Sequence, residues 1–252
     1  MMTPVALITG ASAGLGAEFA RQLSKRGQRL VLVARRTQRL DALAAEIGNA
    51  RSVTADLSRP GAAAKLIAGI EKAGERVETL VNNAGFGLHG RIADLDAARQ
   101  REMIDLNCGA LLDLCRAVLP AMIERKSGAI LNVASTAAFQ PGPGMAVYFA
   151  TKAFVLSLTE ALHEEVKRHG IRVTALCPGP TQTEFGEVAG FAGNGAFGRW
   201  SMESPAVVRA GLEGLDRNMA VVIPGALNKI GAFSPRLAPR ALVRKIDGAI
   251  KF

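Results

Sequence analysis

The chain has 252 residues, 49% apolar and 5% aromatic, with 27 glycines, enough for one large domain with a sizeable core or two small ones. Its net charge of +9 would suit a nucleic-acid partner, but five of the nine charges fall between Gly225 and Phe252 and no nucleic-acid motif accompanies them, which sets that partner aside. No uninterrupted apolar run nears the ~18 residues of a membrane span, the N-terminal stretch lacks a signal-peptide pattern, and Cys108, Cys115 and Cys177 follow neither metal-ligand nor disulfide spacing, so a cytoplasmic protein with reduced thiols is expected.

Val5 to Thr9 reads as a short buried strand that ends in Gly10-Ala11-Ser12-Ala13-Gly14-Leu15-Gly16, followed by a helix from about Leu15 to Lys25. Arg29 to Ala34 is continuously apolar in its centre, as strands of parallel sheets are. A helix over Thr37 to Ile47 and a strand over Ser52 to Ala55, ending on Asp56, come next. Helices over Ala62–Ala73, Ala97–Arg125 and Val147–Arg168 then alternate with strands at Thr79–Asn82, Ala129–Val133 and Ile171–Leu176, and Val221–Ile223 is a candidate seventh strand. Lys167, Arg168 and His169 before Gly170 suit the negative end of a helix and a glycine cap. The alternation predicts an α/β fold, one doubly wound domain over residues 1–252 with a parallel sheet of six to seven strands between helices. In such sheets ligands bind beyond the carboxyl ends of the strands, and Gly10–Gly16, Asp56, Asn82, Ser135 and Pro178 all fall there.

Thr9-Gly10-x-x-x-Gly14-x-Gly16 lies between a strand and a helix, where glycines let a pyrophosphate approach the backbone and the helix presents its positive end. After the second strand, where an acidic residue would bond the ribose 2′-hydroxyl of NAD, stand Ala34-Arg35-Arg36, two guanidiniums suited to a 2′-phosphate or simply two surface arginines. Asn82-Asn83-Ala84-Gly85 and Pro178-Gly179-Pro180 follow later strands and read as either turns or ligand loops, with hydroxyls at Thr181 and Thr183. Asn107 is a polar residue in an apolar helix and needs a partner. Tyr148, the chain's one tyrosine, precedes Lys152 by one helical turn, so both side chains share a face. A cation there would lower the phenol pKa from about 10 towards neutrality and fit it for proton transfer at a carbonyl or alcohol oxygen. Ser135 offers a hydroxyl just past an apolar strand.

Taken together, and in this order along the chain, Thr9–Gly16, Asp56, Asn82-Asn83-Ala84-Gly85, Asn107, Ser135, Tyr148-x-x-x-Lys152, Pro178-Gly179 and Thr183 resemble the classical short-chain dehydrogenases/reductases over nearly the full length. The resemblance implies a Rossmann-like fold, a homodimer or homotetramer, and hydride transfer between NADP(H) and a small-molecule carbonyl or alcohol. It implies Tyr148 as general acid/base, Ser135 as the group orienting the substrate oxygen, and Lys152 as partner of the nicotinamide ribose and of the tyrosine. Asn107 would hold a water of the proton relay. Asp56 would meet adenine, Asn82 would tie strands and cofactor together, and Thr183 would meet the nicotinamide amide. The other cofactor contacts it implies are Gly10, Ser12, Ala13, Gly14, Leu15, Gly16, Arg35, Arg36, Leu57, Ala84, Gly85, Pro178, Gly179 and Thr181. No metal is implied, and the alternative function is a non-catalytic NADP(H)-binding sensor on the same frame.

Residues 180–205 mix glycines (Gly186, Gly190, Gly193, Gly195, Gly198) with Phe185, Phe191, Phe197 and Trp200, which reads either as a loop closing over a ligand or as a poorly ordered surface segment. Phe139 and Met145 suit the same pocket and His89 could add a polar contact, whereas His163 and His169 read as solvent-facing. The tail, residues 225–252, interleaves Lys229, Arg236, Arg240, Arg244, Lys245 and Lys251 with apolar residues. Its apolar side is expected to dock on the sheet or a partner subunit; contact with anionic lipid is the alternative.

Overall fold

The computed structural model describes residues 2–190 and 201–249. Seven parallel strands form one sheet in the order β3-β2-β1-β4-β5-β6-β7. They are β1 Thr3–Thr9, β2 Leu30–Ala34, β3 Ala50–Thr54, β4 Glu75–Asn82, β5 Gly128–Val133, β6 Ile171–Leu176 and β7 Val221–Val222. Between and after them run α1 Gly14–Lys25, α2 Thr37–Ile47, α3 Ala62–Lys72, α4 Ala97–Ile104, α5 Leu111–Arg125, α6 Ala146–Val166, α7 Phe185–Ala189, α8 Ser204–Asp216, α9 Ala226–Phe233 and α10 Arg240–Ala249. Strand order reverses between β1 and β4, and the turns after those two strands flank the crevice this opens.

The period of two along a strand sends alternate residues to opposite helical layers. In β1, Val5 and Leu7 pack with Leu66, Ile70, Leu114, Val118 and Val155 on one face. Ala6 and Ile8 pack with Phe19, Leu23, Leu40, Val207 and Leu212 on the other. Each large side chain buried this fully contributes about 1.5–3 kcal/mol, and the two-sided core fixes where every strand end falls.

Differences from the expected elements have local causes. β4 begins at Glu75 rather than Thr79, because Glu75 is buried and its carboxylate accepts from Arg51 Nη2 at 2.6 Å, so a charged stretch still pairs as strand. The helix expected over 97–125 is interrupted by a π-helical turn, Asp105–Ala110, which holds Asn107. An 18-residue window of that run is apolar enough to span a membrane, yet Leu111, Leu114, Cys115, Val118 and Met122 turn inward onto the sheet as in a core helix. Gly170, at φ 73°, caps the end of the α6 segment in the left-handed conformation that its sequence suggests. His163, expected in solvent, is buried, and its Nδ1 lies 2.8 Å from the Val173 carbonyl.

The tail forms α9 and α10. Ala232 and Val243 face inward, and Asn228 packs so closely on the turn after β6 that a Cβ at Gly179 would sit 2.3 Å from its Oδ1. Leu227, Ile230, Phe233, Leu237, Leu242 and Ile246 stay exposed in the single chain, so they do not dock on its own sheet. Gly193, Gly195 and Gly198, with Phe191, Phe197 and Trp200 of the expected covering segment, lie outside the described residues, as do Ile250, Lys251 and Phe252 of the tail.

Candidate active site

A cleft of about 1290 Å³ runs along the carboxyl ends of the strands. Its floor is the meeting of the turns after β1 and β4. Asn83 Nδ2 donates to the carbonyls of Thr9 at 3.0 Å and Gly10 at 3.2 Å, and Thr9 Oγ1 accepts from the backbone N–H groups of Asn83 and Ala84. This lacing leaves no room for side chains. A Cβ on Gly10, at φ +65°, would lie 2.8 Å from Asn83 Nδ2, and one on Gly16 would lie 2.2 Å from the Gly10 carbonyl oxygen. No side chain caps the start of α1 at Ala13, so the first N–H groups of the helix remain open to an anion at the cleft wall. Gly10, Ser12, Ala13, Gly14 and Leu15 line the cleft and could hold a pyrophosphate. Gly16 lies behind them, where its bareness lets α1 reach the turn. Gly16→Ala is therefore expected to lower stability by about 1–3 kcal/mol, the usual cost of overpacking. Thermal unfolding checks this: the melting temperature should fall by about 2–4 °C per kcal/mol for a chain of this size, and an unchanged value would mean that α1 can slide.

At the far end stand Ala34, Arg35, Arg36, Asp56 and Leu57. Asp56 accepts from the Ser58 hydroxyl at 2.7 Å, from its N–H at 3.2 Å and from Arg59 Nε at 3.2 Å. Burial works to raise the Asp56 pKa, but these bonds and the Arg35 charge outweigh it and hold the carboxyl below its ordinary range. Both candidate phosphate cations are engaged. Arg35 Nη1 donates to Glu102 at 2.7 Å, and Arg36 donates to Glu184 at 2.8 Å and to the Ser12 hydroxyl at 3.1 Å.

The reactive end is built by β5 and α6. Ser135, just past β5, accepts from the Ala137 N–H at 3.1 Å and donates to the Pro178 carbonyl at 3.4 Å. Tyr148 opens the first turn of α6 and Lys152 follows one turn on, both buried yet lining the cleft. Lys152 Nζ donates to the Val133 carbonyl at 2.8 Å and lies 5.7 Å from the centre of the Tyr148 ring. The expected lowering of the phenol pKa is not what this geometry gives. Burial pushes Tyr148 up to about 12, with a hydrogen bond to Ser135 pulling the other way, and burial pulls Lys152 down to about 8. Desolvation disfavours both charges, and the ammonium is bonded to a carbonyl rather than to the phenol.

Neither Asn82 nor Asn107 lines the cleft itself. Asn82 is buried off the cleft, where its Nδ2 donates to Asn132 Oδ1 at 2.9 Å and to Cys115 Sγ at 3.3 Å; Asn132 in turn donates to Thr159 Oγ1 at 3.0 Å. Asn82 thus ties β4 to β5, while its neighbour Asn83 meets the cleft. The Asn107 carboxamide takes both backbone groups of Phe86, at 2.9 and 3.1 Å, and bonds the Thr151 hydroxyl at 3.1 Å. It pins the strand-end loop to α6 just behind the reactive side chains. Ala84, Gly85, Pro178, Gly179, Thr181 and Thr183 line the cleft, as do the unforeseen Gln182 and Glu184. His89 lines it too. Phe86, Met145, Phe149 and Phe185 make an apolar wall beside Tyr148, with the Phe185 and Tyr148 ring centres 5.3 Å apart. The three thiols are unpaired, and burial raises Cys108 to about 11 and both Cys115 and Cys177 to about 12, which keeps them protonated. Among the described residues no cluster of His, Cys, Asp or Glu could hold a metal.

This arrangement joins a glycine-floored anion cradle to a serine, a tyrosine and a lysine on the wall of one cleft. The short chain dehydrogenase family model matches residues 4–190, and the chain belongs to that oxidoreductase family. A sulfoacetaldehyde reductase from Chromohalobacter salexigens is 40% identical over 189 residues, 73% of this chain and 75% of the relative. Among solved structures, a short-chain dehydrogenase from Sphingobium yanoikuyae in complex with NADPH is 37% identical with a TM-score of 0.84, covering 99% of this chain and 96% of that one. A bulky-bulky ketone specific alcohol dehydrogenase from Comamonas testosteroni is 31% identical with a TM-score of 0.78, covering 100% and 98%.

Proposed function

We propose that the protein is an NADP(H)-dependent reductase of ketones with bulky apolar substituents. The observation that carries this reading is the convergence of Ser135, Tyr148 and Lys152 on the cleft that also holds the Gly10–Leu15 cradle and Arg36. The NADPH complex of the Sphingobium relative and the ketone specificity of the Comamonas relative support it. When bound, the nicotinamide supplies the hydride. The protein's part is to orient the carbonyl and to deliver a proton. Ser135 donates a hydrogen bond to the carbonyl oxygen, and Tyr148, a neutral phenol at working pH, gives that oxygen its proton. Lys152 would hold the nicotinamide ribose and stabilise the phenolate left behind. Gly10, Ser12, Ala13, Gly14 and Leu15 would hold the pyrophosphate, Arg35, Arg36 and Ser12 would take the 2′-phosphate, and Asp56 and Thr183 would contact the adenine and the nicotinamide amide. Asn107 is a positioning residue, acting through Phe86 and Thr151. Phe86, Met145, Phe149 and Phe185 exclude water and select for apolar substituents. Cofactor oxidation with a panel of ketones, run with NADPH and with NADH, tests this. Turnover of bulky apolar ketones with NADPH is expected, and turnover confined to small charged aldehydes would contradict it.

The buried pair also fixes a pH dependence. The phenol keeps its proton to about pH 12, so its own ionisation does not limit reduction near neutrality. Lys152 titrates first: its ammonium is lost as pH rises through about 8, and the stabilisation of the nascent phenolate goes with it. Reductive kcat should therefore fall above about pH 8, and Lys152→Met should start lower and stay flat over that range. A pH–rate profile whose fall persists in Lys152→Met would contradict the assignment.

A further inference from the structure

We infer that Glu184 is a specificity-determining residue, whose carboxylate competes with a cofactor 2′-phosphate for Arg36. This inference rests on the NADP(H) reading above and deepens it. Glu184 precedes Phe185, whose ring packs on Tyr148, and lies 148 residues along the chain from Arg36. Its Oε2 accepts from Arg36 Nη1 at 2.8 Å and its Oε1 from Arg39 Nη1 at 2.5 Å, so one carboxylate bridges two guanidiniums. Arg36 and Glu184 both line the cleft, and the Nε of Arg36 is already turned to the Ser12 hydroxyl. One edge of the Arg36 guanidinium, its Nη1, is therefore held by an anion of the protein's own. Hydrogen bonds first from Arg36 and then from Arg39 hold the Glu184 carboxyl below its ordinary range, so it is ionised throughout the working range of pH.

Two anions cannot share the same guanidinium N–H groups without like-charge repulsion. A 2′-phosphate that takes the Nη1 edge of Arg36 displaces Glu184, leaving it to Arg39. A 2′-hydroxyl makes no such demand. Preference for the phosphorylated cofactor is thus the surplus left after that exchange, and the carboxylate narrows it. Arg35, held at 2.7 Å by Glu102, starts from a similar pairing.

The test measures binding of 2′,5′-ADP and of 5′-AMP, probes that differ by the 2′-phosphate alone, by isothermal titration calorimetry. The proteins are the wild type, Glu184→Gln and Glu187→Gln, the last removing an equal charge three residues on. Glu184→Gln is expected to tighten 2′,5′-ADP by about twofold to fivefold, the range of an exposed ion pair, and to leave 5′-AMP unchanged. Glu187→Gln should give no comparable gain. A wild-type preference for 2′,5′-ADP that Glu184→Gln leaves unmoved or weakens would overturn the role of Glu184 alone, as would an equal gain from Glu187→Gln. Equal binding of both probes by wild type and by Glu184→Gln would overturn the NADP(H) reading itself.

Discussion

Tyr148→Phe is expected to lower kcat for ketone reduction by about 10²–10⁴, the usual size of a lost acid–base group. The side chain is 8% exposed and its ring packs against Phe149 and Phe185, at 6.2 and 5.3 Å between centres. A phenyl ring preserves those contacts, so the substitution removes the hydroxyl with its proton and its bond to Ser135, and little else. NADPH affinity should stay within a few-fold, because the cradle and Arg36 lie elsewhere in the cleft. Steady-state kinetics beside direct cofactor binding separate the two effects. Near wild-type turnover would remove Tyr148 from the mechanism; lost cofactor binding would mean that the hydroxyl is structural.

The second large effect is a change of cofactor. Each charge-assisted bond to a 2′-phosphate is worth about 1.5–3 kcal/mol, and a tenfold ratio needs about 1.4 kcal/mol. Wild type should therefore prefer NADPH by at least about tenfold even with Glu184 on Arg36. Ala34→Asp with Arg35→Ala places a carboxylate at the end of β2, where Ala34 lines the cleft, and removes one cation. It also removes Arg35 from Glu102, which keeps its second partner, Arg99. The ratio of kcat/KM for the two cofactors should swing to favour NADH. Equal KM values for NADPH and NADH in the wild type would refute the premise.

Much of this site is legible in the sequence because its parts are local. Thr9 to Gly16 is a strand end, a turn and a helix start in eight consecutive residues, and Tyr148 to Lys152 is one helical turn. The alternation of apolar runs and amphipathic helices fixes the parallel sheet, and with it the edge on which strand ends gather. What escapes is whatever depends on residues far apart in the chain. Adjacent residues on a strand face opposite ways, so choosing between Asn82 and Asn83 as the cleft residue needs their partners Asn132 and Thr9. The Glu184 bridge to Arg36 and Arg39 has no local signature at all. Nor can spacing give the desolvation that reverses the expected Tyr148 shift, since burial is set by Phe149, Phe185 and the strand ends together. Helix α8 had a readable signal, a proline at Pro205 in its first turn, hidden by the glycine-rich stretch before it. Glu75 conceals the start of β4 because its partner Arg51 lies on another strand.

The central claim is that the cleft transfers a hydride to a carbonyl carbon while Tyr148 supplies the proton. Transfer of label from NADPH deuterated at the nicotinamide C4 to a bulky aryl ketone, read by mass spectrometry of the alcohol, tests it most directly. Both C4-deuterated epimers should be used, so that either hydride face is sampled. One epimer is expected to place deuterium on the carbinol carbon with the wild type, at a rate reduced by about 10²–10⁴ with Tyr148→Phe. Saturable NADPH binding with no label reaching any ketone, from either epimer, would contradict the account and leave a cofactor-sensing protein on the dehydrogenase frame.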